Sequence, residues 1–199
     1  DYVRAYPDQV AVLLSVELCS LTLQRQDLSI PNLIASGLFG DGAAAAVVVG
    51  SEVEAAGPRV VDSRSVFYPD SERVMGWDIS EKGFQIVLSA EVPEVVRRHL
   101  RGDVDALLTD HGLTRSDIAV WVSHPGGPKV LEAMQEALEL PAGAFESSWR
   151  SLREVGNLSS TSVLLVLEET MTNQPDPGSH GVMVSMGPGF CSELVLLRW

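Results

Sequence analysis

The chain has 199 residues, 45% of them hydrophobic, and a formal net charge of −13. That length and apolar content can bury one large core or two small ones. So acidic a surface excludes nucleic acid and anionic membranes as partners, and it repels a free anionic cofactor unless a local basic patch receives it.

Aromatic residues make up only 6%, which with the abundant Ala, Val and Leu suits an α/β protein of small, close-packed elements. The opening Asp1-Tyr2-Val3-Arg4 has no initiator Met and no helix start signal. It reads as the tail of an element already under way, so a segment of a longer protein is expected. Residues 10–17 (VAVLLSVE) form a continuous apolar, β-branched run, the pattern of a buried strand. Residues 29–38 contain Pro31 where a first helical turn tolerates it, and the glycines of Leu38-Phe39-Gly40-Asp41-Gly42 close that helix. Residues 43–50 (AAAAVVVG) read as a second buried strand, residues 59–68 as a more exposed one and residues 83–88 (GFQIVL) as an alternating one.

Residues 92–111 place Val95, Val96, Leu100, Val104, Leu107 and Leu108 on one helical face. The basic run Arg97, Arg98 and Arg101 on this helix reads as a solvated face. Residues 118–123 (IAVWVS) predict a buried strand ending at His124. Helices are expected over 128–140, in part over 145–155, and over 161–171, followed by a Pro-, Asp- and Gly-rich surface loop at 173–179. Residues 182–186 and 193–199 then make a hairpin around Gly187-Pro188-Gly189. This element order is α/β with buried, mixed sheets. A faint echo between residues 42–50 and 181–188, both glycine-bounded apolar strands, is what two copies of one α/β unit would leave.

No apolar run reaches the roughly 20 residues that cross a bilayer, and no signal peptide or lipidation motif is read, so a cytoplasmic location is expected. Cys19 and Cys191 have neither metal-ligand spacing nor the number for a disulfide framework, which fits a reducing compartment. Cys19 follows a strand and reads as a small buried hydrophobe.

Three stretches carry candidate chemistry. Ser123-His124-Pro125-Gly126-Gly127-Pro128 sets a histidine just beyond a buried strand, where ligands and catalytic groups of open α/β sheets gather. Pro125 fixes the chain's exit, and the two glycines let backbone approach closely. In Val155-Gly156-Asn157-Leu158-Ser159-Ser160, Asn157 serves as N-cap of the next helix, or Ser159 or Ser160 caps and the Asn157 amide is free for substrate. In Leu38-Phe39-Gly40-Asp41-Gly42-Ala43, a turn suffices, with Asp41 bonding nearby amides.

In order, VELCS from Val16, GLFGDGAAA from Gly37, SHPGGP from Ser123, VGNLSS from Val155 and GPG from Gly187 resemble the chalcone and stilbene synthase family of type III polyketide synthases. The resemblance spans nearly the whole chain. It implies a thiolase-like fold of two similar α/β halves in five layers, with residues 1–88 ending the first half and residues 89–199 forming the second. It implies a homodimer and a Cys-His-Asn triad that acts on malonyl-CoA and an acyl-CoA starter, with no bound cofactor. His124 and Asn157 match the histidine and asparagine. The family nucleophile lies before this chain begins, and Cys19 does not match it.

The resemblance further assigns substrate-facing positions to Cys19, Thr22, Phe39, Trp77, Phe84, Ile86, Gly126, Gly127, Ser159, Gly187, Pro188 and Gly189. Phe39 stands at the tunnel mouth, and Gly187-Pro188-Gly189 shapes the cyclisation cavity. Ile86 replaces a cavity phenylalanine of plant members, and Trp77 falls near a glycine of theirs. With Cys19, these departures imply a differently shaped cavity, nearer to bacterial members that condense malonyl units only. Two rivals stay open: a β-ketoacyl-acyl-carrier-protein synthase III, whose histidine precedes Gln-Ala-Asn and not Pro-Gly-Gly-Pro, and a truncated homologue that serves as a dimerisation or binding partner.

Overall fold

The main core rests on one four-stranded sheet whose strands lie in the order Arg59–Phe67, Cys191–Arg198, His180–Gly187, Ile118–Ser123, seen in a computed structural model that describes residues 1–199. The elements run α1 (Tyr2–Ala5), β1 (Val10–Glu17), a 3₁₀ turn (Cys19–Thr22), α2 (Ile30–Leu38), β2 (Gly42–Val49), β3 (Arg59–Phe67), β4 (Met75–Ser80) and β5 (Gly83–Leu88). There follow α3 (Val92–Thr109), β6 (Ile118–Ser123), α4 (Pro128–Leu138), α5 (Glu146–Val155), α6 (Ser160–Thr172), β7 (His180–Gly187) and β8 (Cys191–Arg198). Strands β6 and β7 are parallel, so the chain must cross over between them, and α4, α5 and α6 form that connection. The antiparallel β7–β8 hairpin and the β8–β3 pair complete the sheet. Strand β3 therefore lies before the expected division at 88/89 yet joins the sheet of the later strands.

The α3 stripe behaves as its period requires. Val96, Leu100, Val104, Leu107 and Leu108 are wholly buried, as are Leu131 of α4 and Val182, Val184 and Leu196 of the sheet. Its opposite face is solvated and paired: Arg97 Nε donates to Glu136 at 2.7 Å and Arg101 Nη1 to Glu139 at 2.8 Å. Helix α4 stops at Leu138, short of the expected residue 140, because Glu139 turns into the left-handed region at φ 55°. Ser29 caps α2 by accepting the Asn32 N–H.

Strands β1 and β2 pair antiparallel from Val10↔Val49 to Glu17↔Gly42. Their expected burial does not hold: Val12, Leu14 and Val16 keep 64%, 69% and 56% of their surface exposed. A strand that is apolar on both faces needs a layer on each, and in this chain α6 packs against the ribbon while the four-residue α1 merely touches β1. The strand at Met75–Ser80 was not expected. Gly76 and Asp78 obscure its pattern, and pairing with β5 makes it. Asp1 occupies the N-cap of α1 without a side-chain cap bond. No helix is long and apolar enough to cross a membrane.

Candidate active site

Strand β6 delivers His124 to the end of the sheet, where its N–H donates to Val184 O on β7 at 2.8 Å. Ser148 of α5 holds the preceding carbonyl, Ser123 O, at 2.7 Å. Only 9% of His124 is exposed, and its Nδ1 is buried with no hydrogen-bond partner in the chain. Burial pushes its pKa down to about 4, because removing water penalises the charged ring. His124 is thus a neutral imidazole at pH 7.

Asn157 comes from the α5–α6 connection. Its backbone bridges to Phe39: Asn157 N–H donates to Leu38 O at 2.9 Å, and Gly40 N–H donates to Asn157 O at 3.0 Å. Gly156 makes this approach feasible. It sits at φ 76°, and a Cβ there would lie 2.7 Å from Leu38 O. The Asn157 side chain is not the helix cap, the role its position first suggests. Ser159 occupies the N-cap position of α6 at φ 53°, without a side-chain cap bond. Other groups meet the amides around the start of α6: Ser162 Oγ accepts the N–H of Leu158, just before the N-cap, at 2.7 Å, and Glu17 accepts the Ser160 N–H at 3.2 Å. The Asn157 amide instead donates to Gly126 O at 3.1 Å and accepts the Ser159 N–H at 2.9 Å.

Gly126 is where the two meet. Its carbonyl holds the Asn157 amide, while a Cβ on it would lie 3.5 Å from His124 Cδ2 and 3.8 Å from Nε2. A primary amide has two N–H donors, so Asn157 keeps a second one beyond that given to Gly126. Leu38 reaches to 3.7 Å of the Cβ position on Gly127. His124, Gly126, Gly127, Asn157, Phe39 and Ser159 are therefore linked by these contacts, and among them the neutral His124 ring and the Asn157 amide are polar groups in a largely buried setting, of the kind suited to holding negative charge on an oxygen.

The remaining expected positions are held through other elements. The 3₁₀ turn carries Cys19 and Thr22, with Thr22 Oγ1 donating to Cys19 O at 2.9 Å. Cys19 is half-buried rather than buried. Burial, with the Glu17 and Asp41 charges, pushes its thiol pKa up, which opposes a nucleophilic role. Asp41 pins the turn by accepting the Ser20 N–H at 2.7 Å and hydroxyl at 2.6 Å; these bonds hold its carboxyl below the usual carboxylate range. On the β4–β5 hairpin, Trp77 stands edge-on to Phe84 at 5.9 Å, with Ile86 opposite Trp77. Gln24 ties the hairpin to the turn through Lys82 O and Phe84 O at 3.1 and 3.0 Å. The Gly187-Pro188-Gly189 loop packs on β4, where Gly189 N–H donates to Met75 O at 3.2 Å.

Two kinds of residue escaped sequence reasoning. Glu17, at the end of an apolar strand, caps α6 and also takes the Ser160 hydroxyl at 2.5 Å. Ser71 and Tyr68 clamp Phe190 beside the glycine loop, by the Phe190 N–H to Ser71 Oγ at 2.6 Å and the Tyr68 N–H to Phe190 O at 2.9 Å. A lone carboxylate ending an apolar strand was a usable signal for Glu17; Ser71 offered none.

The description "chalcone and stilbene synthases, C-terminal domain" matches residues 59–199. The chain belongs to that family and has the thiolase-like fold of type III polyketide synthases. It is 58% identical over 203 residues to a 1,3,6,8-tetrahydroxynaphthalene synthase of Streptomyces peucetius subsp. caesius, with 100% of this chain and 54% of that protein covered. It is 37% identical to a putative chalcone synthase of Bacillus subtilis, covering 100% of this chain and 56% of that one. Among solved structures, the 1,3,6,8-tetrahydroxynaphthalene synthase of Streptomyces coelicolor superposes with TM-score 0.94 at 34% identity, covering 100% of this chain and 57% of that one. The chain thus spans about half the length of the curated relatives it matches.

Proposed function

We propose that this chain is the His-Asn portion of an acyltransferase that condenses malonyl-CoA onto a CoA-linked or malonyl-derived starter and cyclises the product to an aromatic polyketide. The meeting of His124 and Asn157 at Gly126 carries the reading. Malonyl-thioester decarboxylation releases CO2 and leaves the electron pair as a thioester enolate, so negative charge grows on one oxygen. A neutral imidazole and the second Asn157 N–H are donors for that oxygen. The enolate carbon then attacks the acyl-thioester carbonyl, and the thiolate that carried the acyl group departs. Neither thiol of this chain suits that role, since burial and neighbouring carboxylates raise the pKa of both Cys19 and Cys191, so the acyl-carrying thiol is assigned to another part of the intact protein.

Phe39, tied to Asn157 through backbone, suits a gate beside these donors. Cys19, Thr22, Trp77, Phe84, Ile86, Ser159 and the Gly187-Pro188-Gly189 loop are assigned to the cavity. The division at 88/89, with β3 crossing it, a homodimer, a cytoplasmic location and CoA thioesters as substrates without a bound cofactor belong to the same proposal. The identity to tetrahydroxynaphthalene synthase supports malonyl-CoA as both starter and extender.

The test uses the intact protein with malonyl-CoA alone. Release of CO2 and an aromatic product is expected; its absence overturns the malonyl-only reading. Asn157→Ala is expected to slow decarboxylation about 100- to 1,000-fold, the usual cost of one lost oxyanion donor, while starter loading falls less. Equal loss of both steps makes Asn157 merely structural.

A further inference from the structure

The sheet ends, away from His124, in a row of basic side chains. Arg59 on β3 is the direct partner of Arg198 on β8, and Arg198 that of His180 on β7. Direct cross-strand partners project to one face with Cβ atoms about 5 Å apart. These three, with His111 just beyond α3, rim a cavity of about 270 Å³. Its floor is apolar: Val61, Leu113 and Leu196. His180 lies four residues before Val184, the partner of the His124 N–H, so the cavity is roughly 13 Å along β7 from the candidate active site.

Like charges directly opposite each other across a sheet are destabilising. Most arginines of this acidic chain are paired: Arg97, Arg101 and Arg115, for example, each reach a carboxylate within 3.2 Å. Here no carboxylate comes within 4.0 Å of Arg59, Arg198 or His180. The nearby acids are engaged with other partners. Asp62 accepts from His111 Nε2 at 2.9 Å and from the Ser63 N–H at 2.8 Å. Asp117 accepts from the Thr114 N–H at 2.8 Å and hydroxyl at 2.7 Å. Two unpaired guanidinium groups, side by side over a cavity of this size, lack a counter-charge that the chain does not provide.

We propose that this cavity binds a small multivalent anion of the phosphate class, with Arg59 and Arg198 as its principal ligands and His111 and His180 as rim donors. Paired guanidinium N–H groups match the spacing of phosphate oxygens. The anion relieves the cross-strand repulsion, so binding and local stability are linked. Free pyrophosphate and the phosphate groups of a nucleotide share this chemistry.

Titration of the intact protein with inorganic pyrophosphate and, separately, with ADP tests the assignment, followed by calorimetry and by the imidazole C–H signals of His111, His180 and His124. Saturable binding that moves His111 and His180 but not His124, weakened by added salt, is expected from at least one of them. Pyrophosphate alone identifies the free ion as the ligand, and ADP alone identifies a phosphate ester. Arg59→Gln and Arg198→Gln should each weaken binding about tenfold, the worth of one charged hydrogen bond. Without anion, neither substitution should lower the melting temperature, because each removes one of two opposed charges. No saturable binding of either compound at millimolar concentration overturns the proposal. So do unchanged binding in the double variant and a lower melting temperature for Arg198→Gln in the absence of anion.

Discussion

On α3, Leu100, Leu107 and Leu108 have no exposed surface, whereas on β1 Val12 and Leu14 keep 64% and 69% of theirs. The more exposed stretch is the more apolar in sequence: six of the eight β1 residues are apolar, against eight of eighteen in α3. The difference is the number of layers around them: α3 lies between α4 and the four-stranded sheet, while the β1–β2 ribbon has α6 and, at β1, the four-residue α1. Apolar pattern alone therefore identifies an element without saying whether it bears load. His124 and Asn157 sit between these regions, one fixed to the sheet through Val184 and the other linked through Phe39 to the α2–β2 segment. The site takes its rigidity from the first region and its shape from both.

Paired truncations break this comparison most sharply. Leu100→Ala should cost about 2–5 kcal/mol of unfolding free energy, from lost transfer plus a cavity that α4 and the sheet cannot fill. Leu14→Ala should cost at most about 0.5 kcal/mol, because little surface is removed from water there. Urea unfolding of the chain checks both, and equal losses would show that the ribbon is packed as tightly as the core.

A titration sharpens it at the site itself. The pKa of His124 in the fold, about 4, lies below the ordinary value of about 6.5. The unfolded chain therefore binds the proton first. The stability gained by keeping the ring neutral is fully present above about pH 6.5 and is lost as pH falls towards about 4, a change of about 3 kcal/mol in all. His124→Gln should flatten that acid limb, measured as unfolding free energy against pH. An unchanged limb would mean that the carboxylates alone govern it.

Phe39→Ala should shift the product profile of the intact enzyme while turnover persists. The contacts that tie residue 39 to Asn157 are made by backbone, and truncating the ring leaves them standing. A folded but inactive variant would show that the ring supports the donors directly.

How far the sequence could be read follows from the range of each interaction. The α3 stripe, the short helix that opens near Ser29 and the β7–β8 hairpin depend on neighbours a few residues away, and all were readable. The strand at Met75–Ser80 was not, because its pairing with β5 outweighs a Gly76 and an Asp78 that suit a strand poorly. At the site, His124 was marked by the special residues after it, and the motif order supplied its relation to Asn157. That Asn157 gives up the cap could not be read, since the groups that replace it include Glu17, 143 residues away from the Ser160 it binds.

That replacement supports the smallest effect expected here. Glu17 places a carboxylate at the N-terminal end of α6, where the unpaired amides and the helix dipole favour negative charge. Glu17→Gln keeps an acceptor for the Ser160 N–H but removes the charge, so about 0.5–1 kcal/mol should be lost. Ser160→Ala removes only the hydroxyl contact. If one cap joins the ribbon to α6, the double variant should lose less than the sum of the two singles, because the substitutions share a bond. Additive losses would mean that Ser15, which reaches Ser160 Oγ at 2.6 Å and Thr161 Oγ1 at 3.1 Å, holds the ribbon to α6 without Glu17.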